Sequence, residues 1–419
     1  MNNLLITKGF KYRIYPNKKQ QELLDHHFFI YNQAYNIVLD LQKKEFELNK
    51  NKDKKDRTYL KPSQIDFKVK EILKKRDLPF KTVITQQARI NAQRALKEAI
   101  KLKERGFPKF KNSKIAKQSF NWNNQGFQIK DSNDSKFKIL HLMKIPLRMR
   151  YHRDLLEDCK VTQITISKSN NKYYASLNIT YSKPNVSLIS KEPLEIKKAI
   201  GIDLNINEYA LSNGNLIKTN SKLNSKVKYD SAFKRLQRKQ SRRVLKSKTK
   251  KVKLCSNFNK TQNRINRIYE KAKNIKKDFH HKLSKDLTDI FDFIAVEDLN
   301  TKNLTKRAKQ KNVKAKSGLN KSILDTSFYE FLSFLEYKAM HKRKVFVKVP
   351  PQYTSKTCNV CGNIKNNLTL KDRIYTCESC GNQIHRDINA SINILERGLK
   401  SFGLGISLLD YKQKAFRVS

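Results

Sequence analysis

Residues 9–16, GFKYRIYP, alternate apolar and basic positions and stop at Pro16, the period of a strand with one face in a core. The period then lengthens. Asn17 stands as a helix cap, and Leu23, Leu24, Phe28, Tyr31, Ala34, Tyr35, Val38 and Leu41 recur at helical spacing. Further helices are expected near Ser63–Lys75 and over Thr85–Arg105, where Ala88, Ala92, Ala95, Leu96 and Ala99 share one side, with a loop at the Lys- and Asn-rich 49–58. From Gly106 the texture changes to short strands: GFPKFK, QSFNW, GFQIK, FKIL and VTQITISKSNNKYYASLNITYS. The last is a hairpin in which Thr162, Ile164 and Ile166 are answered by Tyr174, Ser176 and Leu177–Ile179 across an Asn-Asn turn. Antiparallel strands closing with strand 9–16 predict a small β-barrel that carries the helices as an insertion.

A second unit opens near Ala199 with AIGIDLNINEYALSNGNLIKT, a strand holding Asp203 followed by a hairpin at Asn213-Gly214. A basic helical region, 226–250, precedes a helix striped by Ile265, Ile268, Ala272, Ile275, Phe279, Leu283, Leu287 and Ile290. His280 and His281 on that helix read as surface or backbone-contacting residues. Phe293–Val296 is a buried strand ending in Glu297, and the Lys-rich 302–320 reads as a mobile loop. An amphipathic helix over Ser327–His341 and a strand over Lys344–Val349 complete a β-α-β unit. A last helix opens at Asp387 and packs inward through Ile388, Ile392 and Leu395.

Between that unit and its last helix lie Cys358-x2-Cys361, fifteen residues, and Cys377-x2-Cys380. Each pair is followed by a glycine, Gly362 or Gly381, where the chain must turn back sharply. Two such knuckles make a closed tetrahedron of four thiolates, a structural zinc site with no open position for substrate; two disulfides are the competing reading. Cys159 and Cys255 are isolated. The acids raise a different question. Asp203, Glu297 and Asp387 each punctuate a core element, and any one alone reads as a cap. Three together match carboxylates on neighbouring elements that hold two magnesium ions around a phosphodiester.

Composition sharpens this picture. Across 419 residues, 90 Lys and Arg stand against 37 Asp and Glu, a formal net charge of +53, with 17 Tyr and 22 Phe interleaved among them. A charge that large self-repels unless a polyanion neutralises it, and rings among lysines suit nucleic-acid stacking. There is no 18-residue apolar run, and the opening MNNLLITK is too short for a signal core, so a soluble, intracellular protein is expected.

At GIDLNINEYALSNG, VEDLN, PPQYTSKTCNVCG, CESCG and HRDINASINIL, together with KGFKYRIYPNKKQQELL and GFPKFK, the chain resembles TnpB, the transposon-encoded RNA-guided DNA nuclease family related to Fanzor proteins and miniature type V CRISPR effectors. Asn205 departs from the family's usual Gly, and His385 from its usual acid. The resemblance implies an α+β multidomain fold: a wedge β-barrel (1–16 and 106–198) with an inserted helical recognition lobe (17–105), and an RNase H-like, RuvC-like α/β domain (199–352 and 384–399). A zinc-ribbon insert for target nucleic acid (353–383) and a C-terminal tail (400–419) complete it. It further implies a catalytic triad of Asp203, Glu297 and Asp387 with two Mg2+, one structural Zn2+ on Cys358, Cys361, Cys377 and Cys380, and a guide RNA encoded at the transposon end. A double-stranded and displaced single-stranded DNA target, one monomer per RNA, no membrane partner, and a cytoplasmic, nucleoid-associated or (in a eukaryotic host) nuclear location follow from it as well. Gln86 and Gln87 are candidates for reading a target-adjacent motif, because amides can pair with base edges. A nuclease-inactive RNA-guided repressor of the same fold, or a eukaryotic or viral Fanzor-type homologue, is the alternative.

Overall fold

The computed structural model describes residues 3–53, 55–102, 106–112, 116–123, 126–184, 198–219, 225–250, 252, 254, 256–307, 312–369 and 372–401. Chain contacts divide it into two units, Met1–Val186 and Ser187–Ser419. Cys255 and most of the C-terminal tail lie outside the described residues.

In the first unit, strand β1 (Asn3–Ile14) runs into helix α1 (Lys18–Asn49), followed by α2 (Pro62–Lys75) and α3 (Thr82–Lys101). The start of α1 is built as its sequence predicts: the Gln20 amide donates to Asn17 Oδ1 at 2.9 Å, and the Asn17 amide donates back to Gln20 Oε1 at 3.0 Å. Six strands follow: β2 (Ser119–Asn123), β3 (Phe127–Asp131), β4 (Phe137–Leu142), β5 (Ile145–Arg150), β6 (Lys160–Ser169) and β7 (Lys172–Pro184). The Asn170-Asn171 turn has φ of 49° and 59°, the left-handed pair that a two-residue hairpin requires. Its register corrects the expected pairing, since Ile164 faces Leu177 and Ile166 faces Ala175, while Tyr174 and Ser176 pair with Ser167 and Thr165 on the opposite face.

The expected closed barrel is not formed. The sheet order is β2-β6-β7-β1-β5-β4-β3, so β1 lies in the middle instead of sealing an edge. It pairs with β7 from Asn3 to Ile14, but with β5 only at Arg13 and Ile14. A helix covers the apolar face that closure would have buried: Phe28 of α1 stacks near Phe120 of β2 and Tyr173 of β7, with ring centroids 5.4 and 6.4 Å apart. The GFPKFK segment is likewise no strand. At its last residue a side chain takes the place of a strand partner, for Asn36 accepts from the Lys111 amide at 2.7 Å and donates to the Lys111 carbonyl at 2.9 Å. The Lys111 ammonium sits over the Tyr31 and Tyr35 rings at 4.3 and 4.1 Å, where burial pushes its pKa down to about 8. Gln87 accepts from Gln163 at 3.2 Å inside this unit.

The second unit centres on a five-stranded sheet of order β10-β9-β8-β11-β12: β8 (Ala199–Leu204), β9 (Glu208–Leu211), β10 (Leu216–Lys218), β11 (Phe293–Glu297) and β12 (Val345–Val349). Strands β8, β11 and β12 are parallel, and every residue of β8 and β11 is buried, which explains their unbroken apolar runs. Helices α4 (Ser225–Thr249) and α5 (Ser256–Ile290) separate β10 from β11. The region 302–320 is not simply a loop: among its described residues, α6 (Thr301–Leu304) and α7 (Val313–Thr326) form, and Asn320 donates to the Thr305 carbonyl at 2.9 Å. Lysine is a good helix former, and Ile323 supplies the buried anchor. Helix α8 (Phe328–Lys342) then leads to β12.

Alternation along the parallel strands sorts residues to two faces. Ile200, Ile202, Ile294 and Val296 pack with Leu287 of α5 and with Phe331 and Leu335 of α8. Ala199, Phe293 and Ala295 pack on the other face with the last helix, α9 (Arg386–Ser401). Two glycines let α9 lie close. A Cβ on Gly201 would meet the Ser391 carbonyl oxygen at 2.1 Å, and one on Gly398 would meet Ala295 Cβ at 2.7 Å. His280 corrects its expected surface placement: it is fully buried beside Phe331, with Nε2 3.4 Å from the Tyr209 hydroxyl, and burial pushes its pKa down to about 4. His281 stacks on Phe334 at 4.0 Å.

Candidate active site

The same alternation carries two acids to one place. Asp203 shares parity with Ala199 and Gly201, and Glu297 with Phe293 and Ala295, so both belong to the α9 face at the C-terminal ends of neighbouring parallel strands. Ile202 pairs with Val296, which leaves Asp203 and Glu297 one residue beyond the last registered pair. Helix α9 runs back over that face and holds Asp387 in its first turn. The three carboxylates are 7%, 9% and 5% exposed, too buried to be ordinary surface charges.

Their electrostatics show that they feel one another. Burial first, then the negative charges of Glu297 and Asp387, push the Asp203 pKa well above the usual carboxylate range; Arg386 partly offsets this. Burial also raises Glu297, while a 2.5 Å hydrogen bond donated by Thr354 lowers it. Asn205 donates to Asp203 Oδ2 at 3.2 Å. Asp387 Oδ2 is buried with no hydrogen-bond partner, and its nearest described cation is the Arg373 guanidinium at 3.8 Å. Acidic groups that repel when uncompensated and stay buried fit divalent cations held through oxygen. Among the described residues, however, the acidic set whose ligand atoms lie within 4.8 Å of one another is Glu208, His385 and Asp387.

The four predicted cysteines do converge, and all four Sγ atoms lie within 4.8 Å of one another. Cys358 and Cys380 are 3.7 Å apart and Cys361 and Cys377 3.5 Å apart, far from disulfide distance and close to the ~3.8 Å edge of a tetrahedron with metal–sulfur bonds of about 2.3 Å. The two knuckles repeat one backbone pattern. Gly362 (φ 77°) donates to the Cys358 carbonyl and Gly381 (φ 67°) to the Cys377 carbonyl, each at 3.0 Å. The Cys358 and Cys377 amides donate to Asn363 and Asn382 at 2.8 and 2.9 Å. Hydrogen bonds from the Cys380 and Ser379 amides lower the Cys377 thiol, while the neighbouring thiols raise Cys380, so within the metal-free cage the four sulfurs hold their protons jointly. Strands β13 (Ile374–Thr376) and β14 (Gln383–His385) brace this cage.

Buried polar side chains that the sequence reading passed over join cage and carboxylates. Asn389 accepts from the Asn359 amide at 3.0 Å and donates to the Thr357 carbonyl at 2.8 Å. Asn393, one turn on, donates to the Thr354 and Thr357 carbonyls at 2.8 and 2.7 Å, and Thr354 in turn holds Glu297. The available signal was a pair of asparagines at i, i+4 on the last helix. Elsewhere in this unit a cavity of about 770 Å³ between α4 and α5 is lined by Lys234, Arg238, Arg242, Gln262 and Tyr269, a basic wall with an aromatic ring.

Residues 328–394 match the family model of the "Cas12f1-like, TNB domain", residues 176–308 a "Probable transposase" model, OrfB_IS605, and residues 1–51 its "Helix-turn-helix domain", which here is a strand and one long helix. The chain is 31% identical over 320 residues to "Putative RNA-guided DNA endonuclease InsQ" of Escherichia coli (strain K12), a match covering 75% of this chain and 73% of that one. A Streptomyces pristinaespiralis protein of the designation "Putative RNA-guided DNA endonuclease" is 26% identical over 416 residues, 98% of this chain and 94% of its own. In fold, the chain is similar to the protein of a Cas12f1–sgRNA–target DNA complex, with a TM-score of 0.56, 15% identity, and coverage of 93% and 98%. By sequence across most of its length, this chain belongs to the TnpB family.

Proposed function

We propose that this protein is an RNA-guided DNA endonuclease that hydrolyses a phosphodiester at Asp203, Glu297 and Asp387, within a RuvC-like domain. The observation that carries the reading is the placement of three buried carboxylates on one face of the sheet, two at the ends of adjacent parallel strands and one in the first turn of the helix across them. Bound there, two magnesium ions would activate water and stabilise the leaving oxygen. Asp203 and Glu297 would hold them from the sheet and Asp387 from the helix, with Thr354 and Asn205 fixing the orientation of Glu297 and Asp203. Zinc on Cys358, Cys361, Cys377 and Cys380 would set the position of α9 through Asn389 and Asn393, and with it the position of Asp387.

The relatives' designations name RNA guidance and DNA cleavage, and the composition of this chain agrees with them. A net charge of +53 is suited to a guide RNA as standing partner and DNA as target, and the Arg- and Tyr-lined cavity between α4 and α5 is one surface able to take backbone and base. Retention of all three acids favours a nuclease over a repressor of the same fold. The test is cleavage of guide-matched DNA by Asp203→Ala protein purified with its RNA. RNA binding should persist and cleavage disappear; guide-dependent cutting by that variant would remove Asp203 from the chemistry.

A further inference from the structure

Two residues outside the proposed trio converge on Asp387. Glu208 opens β9, and pairing of Leu204 with Tyr209 folds that strand back beside the end of β8, where the Asn205 amide donates to the Glu208 carbonyl at 3.1 Å. His385 ends β14, paired with Ile374, and the chain passes directly into α9. Ligand atoms of Glu208, His385 and Asp387 thereby lie within 4.8 Å of one another, brought together from a hairpin, a ribbon strand and a helix start.

A second observation points to an occupant. Asp387 is 5% exposed, and its Oδ2 has no hydrogen-bond donor. A buried acceptor of this kind costs about 1–3 kcal/mol or more if nothing satisfies it, and in native proteins it commonly marks a missing water or ion. The Arg373 guanidinium, 3.8 Å away on a largely exposed side chain, is beyond hydrogen-bond reach and free to be displaced. A neutral imidazole has one lone pair, and that of His385 is engaged only by a long 3.3 Å contact from the Asp387 amide, so a cation would compete with one weak donor.

We infer that Glu208, His385 and Asp387 form a second divalent-cation position that shares Asp387 with the proposed carboxylate centre and takes Mn2+ in preference to Mg2+. The physical reason is the imidazole. Magnesium demands hard oxygen ligands in near-ideal octahedral geometry, whereas manganese keeps its affinity for carboxylate while accepting nitrogen more readily. The position rests on the proposed centre only for Asp387, and the residues that set its preference lie outside that trio.

The test is Mn2+ titration of the full chain carrying a single equivalent of zinc for the cysteine cage, read by pulsed electron paramagnetic resonance without DNA. The wild type should show coupling to a directly bonded ¹⁴N nucleus. His385→Gln should lose that coupling and bind Mn2+ at least about tenfold more weakly, while Mg2+ affinity changes less than about twofold. His385→Asp should lose the coupling yet keep ion binding, which separates loss of a ligand from loss of the fold. Arg373→Gln should bind Mn2+ more tightly. Asp203→Ala should retain the nitrogen coupling, so failure of the carboxylate centre, seen as guide-dependent cutting by that variant, is read separately. Wild-type Mn2+ bound through oxygen alone, coupling that survives in His385→Gln, or no Mn2+ binding at all would each overturn the second position.

Discussion

The four-cysteine cage and the carboxylate face lie in the same unit, joined through Asn389, Asn393 and Thr354, yet they are assembled in opposite ways. The cage is made from 23 residues, Cys358 to Cys380, and its two knuckles direct their sulfurs through local backbone hydrogen bonds. The carboxylate face gathers residues from positions 203, 297 and 387, and although Asn205 steadies Asp203 locally, no local pattern brings the three together. It exists only because two strands pair in register and a helix lies close against them. A locally encoded site can be lost by one ligand change without disturbing the sheet, whereas a site encoded at long range can be moved by a substitution that touches none of its ligands.

The largest expected effect removes chemistry and leaves structure. Asp203→Ala should lower guide-dependent cleavage at least about 10³-fold. Without metal, its thermal stability should equal or exceed that of wild type, since the carboxylate it removes is buried and repelled by Glu297 and Asp387. Unfolding of Asp203→Ala would return the residue to a structural role. Cys377→Ser should release zinc and expose residues 355–385 to hydrogen exchange while protection in the first unit is unchanged; equal zinc by elemental analysis in mutant and wild type would remove the cage from the account.

Gly201→Ala tests the long-range half of the contrast. The added methyl meets the Ser391 carbonyl at 2.1 Å, so α9 must shift, at about 1–3 kcal/mol, and cleavage should fall although every acid remains. Normal activity would mean that the spacing of α9 is not critical. A pH series sharpens the point. The folded-state pKa values of Asp203 and Glu297 are raised, so their contribution to stability is present below the unfolded carboxylate value and is lost as pH rises through the raised values. Metal-free wild type should therefore lose stability relative to Asp203→Asn as pH rises above the ordinary carboxylate value of about 4, and magnesium should restore it. Parallel melting curves for the two proteins would contradict the burial of that charge. The smallest effect is expected for Thr354→Val, which leaves Glu297 without its donor. A loss of about 1–3 kcal/mol, with the activity–pH profile moved upward, is expected from calorimetry and kinetics.

Much of the architecture was legible because it depends on short-range patterns. Asn17 caps α1, the Asn170-Asn171 turn closes the β6–β7 hairpin, and Phe293–Glu297 is a strand buried throughout. Failures occurred where a segment's partner lies far along the chain. GFPKFK alternates like a strand, but the backbone of its Lys111 pairs with the Asn36 side chain instead of a neighbouring strand. The sheet stays open, with β1 in its middle and α1 packed on it through Phe28. His280 appeared to be at the surface because helical spacing does not reveal that Tyr209 and Phe331 close over it.

The sequence by itself determined the periods of helix and strand, the spacing of the thiols within each knuckle, and a formal net charge of +53. Each of these is carried by residues within one or two turns of each other or by simple composition. Only the tertiary structure decided that Asp203 and Glu297 share a face, that Gly201 and Gly398 admit α9 closely enough to bring Asp387 over them, and that Glu208 and His385 meet at the same carboxylate. Those outcomes depend on strand register and close packing between distant segments. A one-residue slip in register or a single methyl group would reverse them without altering any local pattern.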